Sequence, residues 1–133
     1  MDKVAREVAE QEFDRFVEMM ALDANIDKMD PDDAKQFGEQ KERFVKAVMV
    51  GDLIVNDAGE PVITLGDRSV IFKEPTGATY IALGSKSGKK GNDVSALCAA
   101  MGDITGEAPA FFSRLPNRRF KLCLAVTLLF FGG

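Results

Sequence analysis

The chain has 133 residues, a formal net charge of −4, and neither histidine nor tryptophan. That length suits one domain around one core, and the lack of histidine removes the commonest general base and a common metal ligand, which argues against acid–base or metal-dependent catalysis. Its two cysteines, Cys98 and Cys123, have 24 residues between them and lie in apolar surroundings, the pattern of buried free thiols in a reducing cytoplasm.

From Asp2 to about Leu22, apolar residues fall at Ala5, Val8, Ala9, Phe13, Phe16 and Met20, the spacing of one helix face, with Glu7, Glu10, Asp14 and Glu18 opposite. Asp30-Pro31 then reads as an N-cap with proline in the first turn. Ala34, Phe37, Phe44 and Val48 carry a second amphipathic helix, with Lys41 at the skipped position, so residues 1–50 predict an antiparallel helical hairpin. Met19, Met20 and Met29 near the connection could be an adaptable binding surface, although methionine at helical spacing is more often core filler.

Gly51 stops that helix, and residues 51–74 predict a three-stranded antiparallel meander. Leu53 to Val55 and Pro61 to Leu65 flank the turn Asn56-Asp57-Ala58-Gly59-Glu60, where Gly59 supplies a positive φ. A second turn at Gly66-Asp67 leads to a strand in which Val70 and Phe72 alternate with Ser69, Ile71 and Lys73. Glu74-Pro75 ends the pairing, because proline brings no N–H, and Thr76 can cap the helical run behind it, which begins near Thr76. Phe72, Glu74, Pro75, Thr76 and Gly77 are therefore the corner at which strand becomes helix.

Residues 75–133 predict a helical half. Gly84 to Gly91 reads as a cationic, glycine-rich linker, and it fails as a phosphate loop: three residues separate Gly84 from Gly88, and Lys90 follows Lys89 where serine or threonine is required. Asn92 or Asp93 can cap a helix through Val94, Leu97, Cys98 and Met101 that ends near Gly102 and Gly106. A short helix across Ala108 to Leu115 carries Phe111 and Phe112. The last helix, about Arg118 to Phe131, is apolar nearly all round, which calls for central burial or for an interface with another chain. Its uncharged run, Leu122 to Phe131, is half the roughly 20 residues a membrane span needs.

Charge divides the chain: residues 1–60 hold 16 acids and 8 bases, and residues 61–133 hold 5 acids and 9 bases. Such a dipolar chain can self-associate or meet a charged partner. Asp32-Asp33, and Glu10 with Asp14, sit on helix surfaces facing water, so no catalytic residue, cofactor site or metal site is expected. Arg114, Arg118, Arg119 and Lys121, with Lys86, Lys89 and Lys90, could form a cationic patch, and a small nucleic-acid-binding regulator is the alternative this raises. Sparse aromatic residues and an acidic overall charge stand against it. The start, Met1-Asp2-Lys3, lacks the apolar core of a signal peptide. A cytoplasmic α+β protein is the expectation.

Gly51-Asp52-Leu53 with the Asn56 to Pro61 turn, Phe72-Lys73-Glu74-Pro75-Thr76-Gly77-Ala78, then Thr105-Gly106 and a closing apolar helix occur in one order over about residues 50 to 131. In these features the chain resembles the tail-assembly chaperones of long-tailed bacteriophages. It departs from them at Asn117-Arg118-Arg119, where the family pattern carries an acidic residue. The resemblance implies a non-structural morphogenesis factor of the host bacterial cytoplasm, which coats the largely helical tape-measure protein and helps recruit tail-tube subunits without catalysing a reaction. It also implies a longer product, made by ribosomal frameshifting near Phe130-Phe131-Gly132-Gly133. Apolar surface and loop chemistry nominate Phe111, Phe112, Leu122, Val126, Leu129 and Phe130 as partner-binding residues.

Overall fold

The structure is a computed structural model that describes residues 3–22, 25–86 and 94–131. Helix α1 spans Arg6–Met19 and α2 spans Pro31–Val50, with one 3-10 turn, Ile26–Lys28, in the connection. The Asp30 side chain accepts a bond from the Asp33 N–H (2.8 Å), with Pro31 in the first turn, as the sequence predicts. The helices run antiparallel: the N–H groups of Lys3 and Val4 both donate to the Met49 carbonyl (2.6 and 3.0 Å), and Arg6 pairs with Glu42 across the hairpin. Ala9, Phe13, Phe16 and Met20 are buried, whereas Ala5 and Val8 face outward, so the apolar face of α1 is narrower than expected.

Gly51 ends α2 at φ 87°, and strands β1 (Leu53–Val55), β2 (Pro61–Leu65) and β3 (Arg68–Ile71) follow as an antiparallel sheet in the order β1-β2-β3. Gly59 has φ 80°, and a Cβ there would lie 2.5 Å from Met19 Cβ, so this turn needs glycine both for its backbone and for its approach to α1. The Asn56 side chain accepts from the N–H groups of Ala58 (3.0 Å) and Glu60 (2.9 Å), which closes the turn. Pro61, lacking an N–H, opens the central strand.

Register sorts the sheet into two faces. Leu53, Ile63 and Val70 align in one row and are buried; Ile54, Val62 and Ile71 align in the next row and point away. Phe72 continues the buried set: fully enclosed, it donates its N–H to the Pro61 carbonyl (2.8 Å) and packs its ring 6.2 Å from that of Phe112.

Beyond the corner come α3 (Gly77–Lys86), α4 (Val94–Thr105), α5 (Pro109–Ser113) and α6 (Asn117–Phe131). The fold is thus α+β, with an N-terminal helix pair, strands in the middle and a helical C-terminal half. Helix α3 runs through Gly84 and Lys86, where the composition predicts linker; Ser87 to Gly91, and the caps expected at Asn92 or Asp93, lie outside the described residues. Cys123, Ala125, Val126, Thr127, Leu129 and Phe130 of α6 are buried, and α6 packs along α2. Central burial therefore explains its composition. The Thr127 hydroxyl donates to the Cys123 carbonyl (2.8 Å), so its burial leaves no unpaired group.

Phe72→Ala should lower stability by about 3 to 5 kcal/mol, the range for losing a buried aromatic ring. Denaturant unfolding checks this; a loss under about 1 kcal/mol would contradict the enclosure of Phe72.

Candidate functional site: a cationic groove and a bare sheet face

Two surfaces stand out, and both follow from how the helices cover the sheet. Helices α1 and α2 pack against β1, and α6 against β2, while the row Ile54–Val62–Ile71 remains uncovered, with Ile54 58% exposed. At one edge, Arg15 of α1 reaches the carbonyls of Val55 (2.6 Å) and Asn56 (2.8 Å), occupying acceptors that β1 would otherwise present. The other edge is open. The bond from Phe72 to Pro61 sets an alternation that turns the backbone groups of Ser69 and Ile71 away from β2, and neither makes an outward bond among the described residues.

The second surface is a groove of ≈ 670 Å³ between α2 and the start of α6. Arg43, Lys46, Ala47 and Val50 line one wall and Arg118, Arg119 and Leu122 the other, with Asp52 and Thr64, Leu65 and Gly66 at the sheet end. Lys46 lies 3.6 Å from Glu42, while Arg43, Arg118 and Arg119 have no carboxylate within 4.0 Å among the described residues. Four cations thus share the groove with one lining carboxylate, Asp52, and Glu42 pairs with Lys46 from outside it. The N–H of Phe120 donates to the Pro116 carbonyl (2.9 Å), which places Arg118 and Arg119 in the first turn of α6. That is the positive end of the helix, where cations are disfavoured.

The nominated residues fall mostly elsewhere. Phe112, Val126 and Leu129 are buried in the core, out of reach of a partner of the folded chain, and Phe130 is buried but for an edge that lines a cleft with Tyr80 and Phe131. Phe111 is half-buried, with the Arg68 guanidinium 5.0 Å from its ring centre and Arg68 itself 3.3 Å from Glu107. Leu122 alone reaches the groove. Arg114 lines a separate cleft with Arg68, Glu107 and Phe111 rather than the groove that holds Arg118 and Arg119, and the side chains of Lys86, Lys89 and Lys90, which complete the cationic patch expected from sequence, lie outside the described residues. Arg43 and Lys46 belong to the acidic half of the chain. Their spacing with Ala47 and Val50 marks one α2 stripe, but nothing in sequence links that stripe to Arg118 and Arg119.

At the corner, Phe72 is enclosed, Pro75 half-buried, and Glu74, Thr76 and Gly77 exposed. The expected Thr76 cap operates through a different side chain. The Thr79 hydroxyl accepts the Thr76 N–H (3.1 Å) and donates to the Asp103 carboxylate, while the Thr76 carbonyl accepts from the N–H groups of Thr79 and Tyr80. This is the reciprocal half of a capping box, and it also fastens α3 to α4. Tyr80 and Ile81 are left outside, Ile81 73% exposed.

Both cysteines are free and buried, and desolvation pushes the Cys98 thiol above its ordinary value and the Cys123 thiol up to about 12. They stay protonated, and so poor nucleophiles, through the neutral range. Among the described residues, no three His, Cys, Asp or Glu side chains gather to hold a metal, and no helix is long and apolar enough to cross a membrane. Compared with protein-family models, curated proteins and solved structures, the chain matches none.

Arg118→Glu places a carboxylate at the positive end of α6 and should raise stability by roughly 0.3–1 kcal/mol. The denaturant midpoint should rise with an unchanged slope; a fall would mean that Arg118 makes a stabilising contact in the isolated chain.

Proposed function

We propose that the protein is a phage tail-assembly chaperone, which binds the tape-measure protein, keeps it soluble and helps bring tail-tube subunits to it. The observation that carries this reading is the uncovered row Ile54–Val62–Ile71 beside the open edge of β3, which runs directly into the Glu74-Pro75-Thr76-Gly77 corner of the family resemblance. An apolar row beside unpaired strand groups is a surface for another polypeptide. A long helical partner exposes apolar stripes that aggregate when bare, and covering them with a small domain of net charge −4 replaces aggregating surface with repelling surface. Many copies on one long partner add their affinities through avidity, so each contact can be weak.

Co-expression should raise the soluble yield of the tape-measure protein. Ile54→Lys with Ile71→Lys, both at exposed positions, should abolish that gain without lowering the chain's own melting temperature. No rescue by the natural chain would contradict the reading, and full rescue by the double variant would move the contact off the sheet face. Tight binding to duplex DNA with a steep salt dependence, in the absence of rescue, would favour the nucleic-acid regulator instead.

A further inference from the structure

We propose that the groove between α2 and α6 docks a helix of a partner protein whose apolar stripe is flanked by acidic residues. This rests on the reading of the protein as a binder of polypeptides, and adds a site and a ligand chemistry to it.

Charge is the first argument. Arg43 and Lys46 on α2 face Arg118 and Arg119 on α6, and three of these four have no ion-pair partner among the described residues. The groove thus holds an excess of positive charge that the chain itself does not neutralise, although acids outnumber bases elsewhere. The second argument is cost. Two arginines in the first turn of a helix oppose its dipole, and no acid in that turn offsets them. A sequence that breaks a local rule without compensation inside the fold marks a position used for something else.

The floor of the groove selects among anionic ligands. Ala47, Val50, Leu65 and Leu122 put apolar surface between the cationic rims, and Val50 stays 40% exposed. On α2 the cations and the apolar residues recur at three- and four-residue intervals, so they form one straight stripe. A rod lying along that stripe meets apolar surface beneath it and cations on both sides, the complement of an acidic amphipathic helix. Nucleic acid fits less well. Its phosphates could meet the cations, but no aromatic side chain lines the groove for a base to stack on.

The test uses the full chain and a designed helical peptide of about 18 residues, five turns long, with leucines on one stripe flanked by glutamates, and a twin with lysines in place of the glutamates. In titrations followed by amide NMR, the glutamate peptide should shift Arg43, Ala47, Gly66, Arg119 and Leu122, and rising salt should weaken it. Arg43→Glu with Arg119→Glu should weaken it by at least about tenfold, which is about 1.4 kcal/mol, and should let the lysine twin bind instead. Both side chains are exposed, and a melting temperature no lower than that of the natural chain verifies that the double variant is folded. Shifts outside the groove, no shifts, or equal binding of both peptides to the natural chain would overturn the proposal. So would tighter binding of duplex DNA at the same residues, or oligomers of the natural chain that the double variant dissolves, which would mean that a second copy fills the groove. Repeating the co-expression with this variant separates the two claims: rescue that survives it removes the groove from tape-measure binding and leaves the chaperone reading intact, whereas failure of the natural chain to rescue removes that reading while the peptide titration still decides the groove.

Discussion

The structure depends on one cluster of phenylalanine rings. Phe16 stacks on Phe44 at 5.0 Å between ring centres, Phe13 meets Phe44 edge-on at 5.1 Å, and Phe130 meets Phe16 edge-on at 5.4 Å. These contacts join α1, α2 and α6, so the first and last helices of the chain share one core. Aromatic pairs in such geometries contribute about 0.5–1.5 kcal/mol each beyond the area they bury, and here they also fix where everything else can go. With α6 held along α2, its first turn is brought beside the last turns of α2, and the groove between them is a consequence of that packing.

The same arrangement leaves the sheet bare on one side. A sheet of three strands needs one face covered to be stable, and α1, α2 and α6 supply that cover to the row Leu53–Ile63–Val70. The opposite row is apolar as well. Ile54, Val62 and Ile71 occupy positions at which an ordinary solvent face would carry polar side chains, as Thr64 and Ser69 do on the same face. The edges differ too: Arg15 closes one, and among the described residues no bond closes the other. An open edge beside an apolar row invites aggregation unless a partner uses it, and the exposed Lys73 and Arg68 at the ends of β3 are the charges that limit the hazard.

Much of the architecture was legible in sequence because its signals are local. The Asp30-Pro31 start of α2, the Gly51 stop, the turn at Gly59 and the alternation through Val70 and Phe72 each depend on a few adjacent residues, and each formed as read. Val8 was misread because three- and four-residue spacing marks a face without giving its width. The last helix was read as nearly all apolar, and the structure resolves this by burying Val126, Leu129 and Phe130. The same composition had nominated those residues, with Phe112, for partner contact: apolar content alone does not separate core from interface. The groove was hidden for another reason. Its cations come from residues 43 and 46 and from 118 and 119, and only tertiary packing makes them neighbours. Ile71 was visible as an outward position from its alternation with Val70 and Phe72, but its alignment with Ile54 and Val62 appears only in the register of the sheet.

If the phenylalanine cluster makes the N-terminal helix pair and the C-terminal helix one cooperative unit, their innermost amides must open together. Native-state hydrogen exchange across a denaturant series measures this directly, at Phe44 in α2 and Val126 in α6. The account predicts one opening free energy for both amides, equal to the global unfolding free energy, with the same denaturant slope. Exchange of Val126 through an opening of lower free energy and smaller slope than that of Phe44 would contradict it, and would make α6 an element docked on a core complete without it.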